Sequence, residues 1–210
     1  MNESAPGARP PKSGQRWPEG WTKLHVYLTD LDEVKTVADS YRPVIEQVVD
    51  EVTVPHQWLH ATIASIECDA ADIGLETRHR LVERLRERVG RQEAFDITVG
   101  PALAATGAVM LDTSPDADFQ RLVATCVEVI DEVVEGGHAR PCGGPGHVSL
   151  SYRPDSVGVD PRRGAIQNRL RDVRPGRAEI TVSGVELVRV FQSEDASTYT
   201  WETIARIPLG

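Results

Sequence analysis

Residues 59–63 read LHATI and residues 146–150 read GHVSL, and these two segments set the expectations for the whole chain. Each contains a histidine, a small apolar residue, a hydroxyl residue and a branched aliphatic residue, inside an apolar run that is typical of a strand. Because residues i and i+2 of a strand point to the same face, each histidine shares a face with its own hydroxyl residue. Two such strands beside one cleft would present two imidazoles and two hydroxyl groups to one ligand.

The pattern alone leaves two interpretations open. In the first, His60 and His147 are functional and act together with Thr62 and Ser149. In the second, both are core histidines that are hydrogen bonded to their own hydroxyl residues. Chance alone gives about 0.7 matches to His-x-Ser/Thr in a chain of this composition. Two matches are therefore weak evidence by themselves, and the functional interpretation depends on the strand context of both motifs.

Outside these segments, hydrophobic periodicity predicts strands and helices in mixed order. Strands are predicted at 23–30, 57–66, 147–152, 178–192 and 198–207, with a hairpin over 94–113. Helices are predicted at 31–51 (with a break or restart at Pro43), 69–90, 115–135 and 162–173. A Gly- and Pro-rich loop is expected at 136–146 and a polar turn at 193–197. This order favours an α+β fold with antiparallel sheets over a doubly wound parallel sheet.

Composition narrows the class of protein. Residues 1–20 are rich in Pro, Gly and charge, so we expect a disordered leader followed by a single domain over 21–210. No apolar run is long enough to span a bilayer, so we expect no membrane association. The three cysteines lack CxxC spacing, which argues against a disulfide framework or a zinc site and favours the cytoplasm. Cys126 falls on the apolar stripe of its helix and is predicted to be core.

The net charge of −9 argues against binding along a nucleic-acid backbone, and we expect no DNA partner. A small phosphorylated ligand, or one RNA end held in a locally positive pocket, stays compatible with that charge.

The paired His-x-Thr/Ser strands resemble the signature of the two-histidine phosphoesterase superfamily, in its 2′-5′ RNA ligase / RNA 2′,3′-cyclic phosphodiesterase branch. Residues 23–30, 54–63, 95–113 and 199–209 resemble the strands and motif approach of that family. The resemblance implies a bilobed fold of two antiparallel sheets with flanking helices and pseudo-twofold symmetry around a central cleft. Two departures are visible: Ser149 replaces the commoner Thr, and the glycine-rich approach at 142–146 is atypical.

The resemblance implies catalysis by His60 and His147, with Thr62 and Ser149 binding phosphate. Hydrolysis of a 2′,3′-cyclic phosphate needs a base for water and an acid for the leaving ribose oxygen, and two imidazoles supply both near neutral pH. No metal or cofactor is implied, and the reverse reaction would form a 2′-5′ linkage. We expect a monomer acting on an RNA end or a small cyclic-phosphate nucleotide. The alternative is a module on the same fold that binds a nucleotide or phosphometabolite without turnover.

Further residues carry open alternatives. His25 and Tyr27 share a face of the first strand and either line the cleft, with Tyr27 stacking a base, or pack as core. Arg153 shares strand parity with His147 and either meets a phosphate or is solvated. Trp58 is either cleft wall or core. The segment HQWLH at 56–60 lacks the glutamate of a helical HExxH zinc site and sits in a predicted strand, so no metal site is predicted there.

Overall fold

The computed structural model describes residues 17–47, 52–136, 138–153, 161–193 and 198–210. It confirms the α+β class. Ten strands are described: β1 Thr22–Leu28, β2 Val52–Thr53, β3 Ala61–Ile66, β4 Phe95–Ala105, β5 Ala108–Ser114, β6 Ala139–Pro141, β7 His147–Tyr152, β8 Ala178–Val182, β9 Gly184–Ser193 and β10 Thr198–Pro208. The four α-helices of this described part are α1 Asp32–Ile45, α2 Leu75–Val89, α3 Asp116–Val133 and α4 Arg163–Leu170.

The strands form one antiparallel, hydrogen-bonded path in the order β10-β9-β1-β3-β7-β5-β4-β8. The two antiparallel sheets expected from the sequence are the two four-stranded halves of this path, β10-β9-β1-β3 and β7-β5-β4-β8. The halves meet through one registered pair, Ala61 with Val148. Both motif strands, β3 and β7, therefore lie side by side at the centre of the sheet.

Beyond that pair the two central strands diverge, and each gains a short partner of its own. The end of β3 pairs with β6, and the end of β7 pairs with β2. Each short strand precedes the opposite motif strand in the chain, so the arrangement repeats on the two sides of the junction. This repetition matches the similarity between the two motif sequences.

Two of the four helices of the described part, α1 and α3, pack on the half opposite to the strand that precedes them. α2 and α3 pack against each other, with α2 on β10 and α3 on β3 and β6. α1 and α4 pack against each other, with α1 on β8 and α4 on β4. Cys126 lies fully buried in α3, as its stripe predicts. Within the described residues, no helix is both long and apolar enough to cross a membrane.

Several predicted strand and loop boundaries are wrong, and tertiary pairing explains the largest error. The single strand predicted over 178–192 is two strands, because β8 pairs with β4 in one half while β9 pairs with β1 in the other. The chain therefore crosses between halves at Ser183. The loop predicted over 136–146 contains β6, which is held by its pairing with β3. The strand predicted from residue 57 begins only at Ala61, because a 3-10 turn occupies His56–Trp58.

The helix predictions are right in place and too long at their ends. The helix predicted over 69–90 starts at Leu75, because Asp69 instead caps a separate 3-10 turn at Ala70–Asp72 by accepting a bond from Ala71 N–H. Pro43 does not break α1, which continues through it to Ile45. The last residues of that prediction (48–51), the tip of the turn predicted over 193–197 and residues 1–16 of the predicted leader lie outside the described part.

Candidate active site

His60 is positioned by the turn that precedes β3. The turn ends at Trp58, whose backbone N–H donates to the Pro55 carbonyl, and the chain becomes extended at Leu59. The Nδ1 atom of His60 lies 3.0 Å from the Trp58 carbonyl oxygen. Because a carbonyl oxygen only accepts, Nδ1 carries the proton in this bond and Nε2 is left for other chemistry.

His147, the first residue of β7, is held in the same way. Its Nδ1 lies 3.1 Å from the carbonyl oxygen of Pro145, two residues upstream, as the Trp58 carbonyl is two residues upstream of His60. Both imidazoles are thus fixed in the tautomer that leaves Nε2 available. His60 is only 7% exposed, whereas His147 is half-buried.

The sheet junction brings the two motifs together. Since Ala61 pairs with Val148 in antiparallel register, His60 comes beside Ser149 and Thr62 comes beside His147. Ala61 and Val148 point into the core, so the four motif side chains lie on the opposite face. The positive charge of one imidazole acts on the other, because His147 contributes to lowering the pKa of His60.

Each motif strand carries a bulge directly after its hydroxyl residue. Tyr27 and Val26 pair with Thr62 and Ala64, which leaves Ile63 as the extra residue of β3. Met110 and Val109 of β5 pair with Ser149 and Ser151 in the same way, which leaves Leu150 as the extra residue of β7. A bulge shifts the alternation of side chains by one position.

Unbroken alternation along β7 predicts that Arg153 lies on the same face as His147. Because of the bulge, this prediction is wrong. Ser151 is fully buried away from the site, and its Oγ accepts a bond from Val109 N–H at 3.1 Å. Tyr152 takes the place on the site face, where its ring meets Tyr199 edge-on at 5.6 Å. Arg153 follows at the end of β7, half-buried, with its backbone N–H bonded to the Gly107 carbonyl.

Aromatic rings enclose His60. Its ring stacks on Tyr27 with centroids 4.1 Å apart, and Trp201 of β10 meets it edge-on at 5.1 Å. Burial by these rings is the main cause that lowers the pKa of His60 to about 4, against the raising effect of the Trp58 carbonyl. His60 is therefore neutral at physiological pH, which is the state that accepts a proton at Nε2.

A tyrosine stands next to each motif hydroxyl. Tyr27 is the registered partner of Thr62 across β1 and β3, and a hydrogen-bond interaction with Thr62 opposes the rise in the Tyr27 pKa that burial causes. On the other side, Ser149 acts in the same way on the pKa of Tyr152, which burial also raises. Both phenols therefore stay protonated, and their O–H groups lie beside the hydroxyls predicted to bind phosphate.

His25 lies behind Tyr27, one row further from the motif pair. Its ring meets the Tyr27 ring edge-on at 5.2 Å, and Trp17 lies 6.0 Å away. Both ring nitrogens are shielded from solvent and have no hydrogen-bond partner among the described residues. Burial, followed by the charges of His60 and Lys23, lowers the pKa of His25 to about 3.

The remaining histidine of HQWLH points elsewhere. Nε2 of His56 lies 2.8 Å from Oδ1 of Asp39 on α1, while His60 faces the site. The two therefore form no pair on one helical face. In the described part of the chain, no three metal-ligating side chains come together.

Sequence patterns do not reveal most of the aromatic wall. They single out none of Trp201, Tyr199 and Tyr152, and they leave Trp58 open; its ring meets Trp201 edge-on at 4.8 Å. β10 is three places from β3 in the sheet order, so only the strong curvature of the sheet brings Trp201 onto His60. Alternation within β10 places Tyr199 and Trp201 on one face, and that is the signal the sequence does contain.

Several solved protein structures share this fold. TT0787 of Thermus thermophilus matches with a TM-score of 0.66 at 14% identity, over 89% of this chain and 97% of that chain. E. coli LigT complexed with NADP⁺ matches with a TM-score of 0.64 at 14% identity, over 90% and 98%. The MHV ns2 PDE domain matches with a TM-score of 0.50 at 12% identity, over 80% and 99%.

No protein-family model matches this sequence, and no curated protein matches it. The structural matches span nearly the whole of the solved chains, and one such chain is described simply as a phosphoesterase. They establish that this chain shares the fold of these solved proteins, which is the fold that the resemblance implies.

Proposed function

We propose that this protein is a metal-independent phosphodiesterase that hydrolyses 2′,3′-cyclic phosphate ends of RNA or nucleotides, with His60 and His147 as the acid–base pair. The main observation that supports this proposal is the junction of β3 and β7. It brings two imidazoles and two hydroxyl groups to one face of the sheet, with the Nε2 atoms of both histidines available. E. coli LigT, a protein of the same fold, has been solved with phosphate and with 3′-AMP, so a protein of this shape accommodates such groups.

The surroundings of the two histidines differ, and the difference supports different roles for them in the proposed reaction. His60 is enclosed by aromatic rings and neutral, which suits the base. His147 is half-buried, and Asp112 is its cross-strand neighbour on β5, so a carboxylate lies on its side of the site. His147 is therefore assigned as the acid in the hydrolytic direction.

The chemistry balances with these two groups. Nε2 of His60 takes a proton from water as the water oxygen bonds to phosphorus. The bond from phosphorus to one ribose oxygen breaks, and that oxygen receives the proton from Nε2 of His147. Thr62 and Ser149 donate to the non-bridging oxygens, where charge builds up during transfer. The product is a phosphate monoester with a free ribose hydroxyl, and exchange with solvent restores both histidines.

The test is turnover of 2′,3′-cyclic nucleotides and short cyclic-phosphate RNAs in EDTA, followed by chromatography. We expect product from the wild type, and none above background from the double variant His60→Ala, His147→Ala. The exposed helical histidine His79, replaced by alanine, is the matched control and should keep full activity. Calorimetry with the same ligands distinguishes an enzyme from a module that only binds. Tight binding without product formation would contradict the proposal of an enzyme.

A further inference from the structure

A group of polar side chains lies on the site face about one row beyond Thr62, and we name it the Arg140 corner: Lys23, His25, Ser65, Glu67 and Arg140. Ser65 of β3 is the registered partner of His25 on β1 and of Arg140 on β6, so these three form a row across the sheet. Lys23 Nζ lies 2.7 Å from Glu67 Oε2, and Ser65 Oγ donates to Glu67 Oε1 at 2.7 Å.

The corner holds more positive charge than its own residues neutralise. The Glu67 carboxylate is engaged by Lys23, which is only 3% exposed, and by Ser65. Arg140 is half-buried and takes part in no ion pair among the described residues. Across β3, two strands from Arg140, His25 has two buried ring nitrogens that lack partners in the described part. A guanidinium without an ion-pair partner, in the same row across the sheet as a buried imidazole without hydrogen bonds, indicates a place for an anionic ligand group.

The position of the corner fits the second phosphate of a nucleotide chain. From Thr62 to Ser65 the strand advances by two to three residues, or ~7–10 Å. That is close to the separation of successive phosphates in RNA, and the long side chain of Arg140 covers the remaining reach. A ligand with its reacting phosphate at Thr62 would therefore have its next phosphate within reach of Arg140.

An aromatic surface adjoins the corner. The Trp17 ring lies 5.1 Å from Lys23 Nζ and 5.7 Å from the Tyr199 ring. Such rings offer a stacking face to a base without reading its sequence. The corner therefore offers both a charge for a phosphate and a surface for the base attached to it.

We propose that the Arg140 corner binds a second phosphate on the 5′ side of the reacting ribose, so that the substrate is a 5′-phosphorylated nucleotide or an RNA end. A bare nucleoside 2′,3′-cyclic phosphate is then a poor substrate. This inference rests on the proposed function and names the substrate class of that same site.

The test compares three substrates: a nucleoside 2′,3′-cyclic phosphate, the same compound with a 5′-phosphate, and a dinucleotide ending in the cyclic phosphate. We expect kcat/KM to rise about 10-fold with the second phosphate, as one charge-assisted phosphate contact supplies. Arg140→Ala should remove this gain in kcat/KM, and Arg140→Lys should retain part of it. Arg121→Gln, on the exposed face of α3, should leave the gain unchanged. Rising salt should shrink the gain. A gain with the 5′-phosphate alone identifies a terminal phosphate, and a gain with the dinucleotide identifies a bridging one.

Binding gives a readout that needs no turnover. Calorimetry should show a nucleoside 3′,5′-bisphosphate binding about 10-fold more tightly than the 3′-monophosphate, with the difference lost in Arg140→Ala. If all three substrates are turned over with equal kcat/KM, or if Arg140→Ala retains the gain from the second phosphate, the Arg140 corner does not bind that phosphate. The proposed function is unaffected by either result. Absence of any turnover overturns the proposed function instead, and the bisphosphate comparison then still decides whether the corner binds phosphate.

Discussion

Replacing Trp201 by alanine should move the acid limb of the pH–activity profile upward. Trp201 covers His60 at 5.1 Å, and burial is the main reason that the pKa of His60 falls from 6.5 to about 4. Because His60 must be neutral to accept a proton from water, wild-type kcat/KM should decline only as the pH approaches that lowered value. Removing the indole admits water to the ring, so the pKa rises toward 6.5 and the acid limb follows.

The size of the effect follows from those two values. At pH ~5 a group with a pKa of about 4 is ~90% neutral, whereas a group with a pKa of 6.5 is only ~3% neutral. Full exposure of His60 therefore costs ~30-fold in kcat/KM at that pH, and recovery of half the shift costs ~2–3-fold. Near pH ~7.5 both states are largely neutral, so the loss is confined to acid conditions.

The assay is kcat/KM for a 2′,3′-cyclic nucleotide across the pH range, with circular dichroism confirming the fold at each pH. Trp201→Phe keeps an aromatic ring over His60 and serves as the matched control, with an acid limb close to that of the wild type. An acid limb that stays in place in Trp201→Ala, or a wild-type limb already near 6.5, would refute the assignment of His60 as a buried neutral base.

Alanine at His60 or at His147 should each lower kcat by ~10²–10⁴-fold with little change in KM; an activated aryl leaving group should restore His147→Ala and not His60→Ala, because only the acid becomes dispensable. Since His25 and His60 have folded pKa values below the unfolded value of 6.5, the unfolded state binds more protons below that pH, and the free energy of unfolding should fall by up to ~3 kcal/mol for His60 as the pH drops from 6.5 toward 4. Urea titrations check this, and a pH-independent unfolding free energy there contradicts it. Gly146→Ala would place its β-carbon 2.7 Å from a buried phenyl carbon and should cost ~1–3 kcal/mol, whereas Gly143→Ala meets nothing within 4 Å and should be neutral; equal melting temperatures argue against this packing.

The strands that carry the two motifs could be predicted from the sequence, since a period of two with buried branched residues has few other solutions. The bulges could not. Ile63 and Leu150 are ordinary apolar residues, and what makes each an extra residue is the register imposed by β1 and β5. Because the bulges reset the alternation, the parity that groups Arg153 with His147 does not hold, and the fold places Tyr152 on the site face.

The enclosure of His60 by aromatic rings could not be predicted from the sequence either. Trp201 and His60 are far apart in the chain, and local periodicity carries no information on how tightly a sheet curls. The split of residues 178–193 into β8 and β9 has the same origin, because only the partners β4 and β1, on opposite halves, require a crossing at Ser183. Local patterns therefore predict the candidate residues, while long-range pairing determines their surroundings.

The exchange of α1 and α3 between the halves bears on how such a chain can be divided. α1 follows β1 of one half yet covers β8 of the other, and α3 follows β5 yet covers β3. A fragment ending at the β4–β5 turn would keep α1 without β8 to cover, and its complement would keep α3 without β3. In each fragment the helices lose strands that they cover in the whole chain. Although the motif occurs twice, we therefore expect both copies to fold only together, and fragments cut at that turn should recover structure only when mixed.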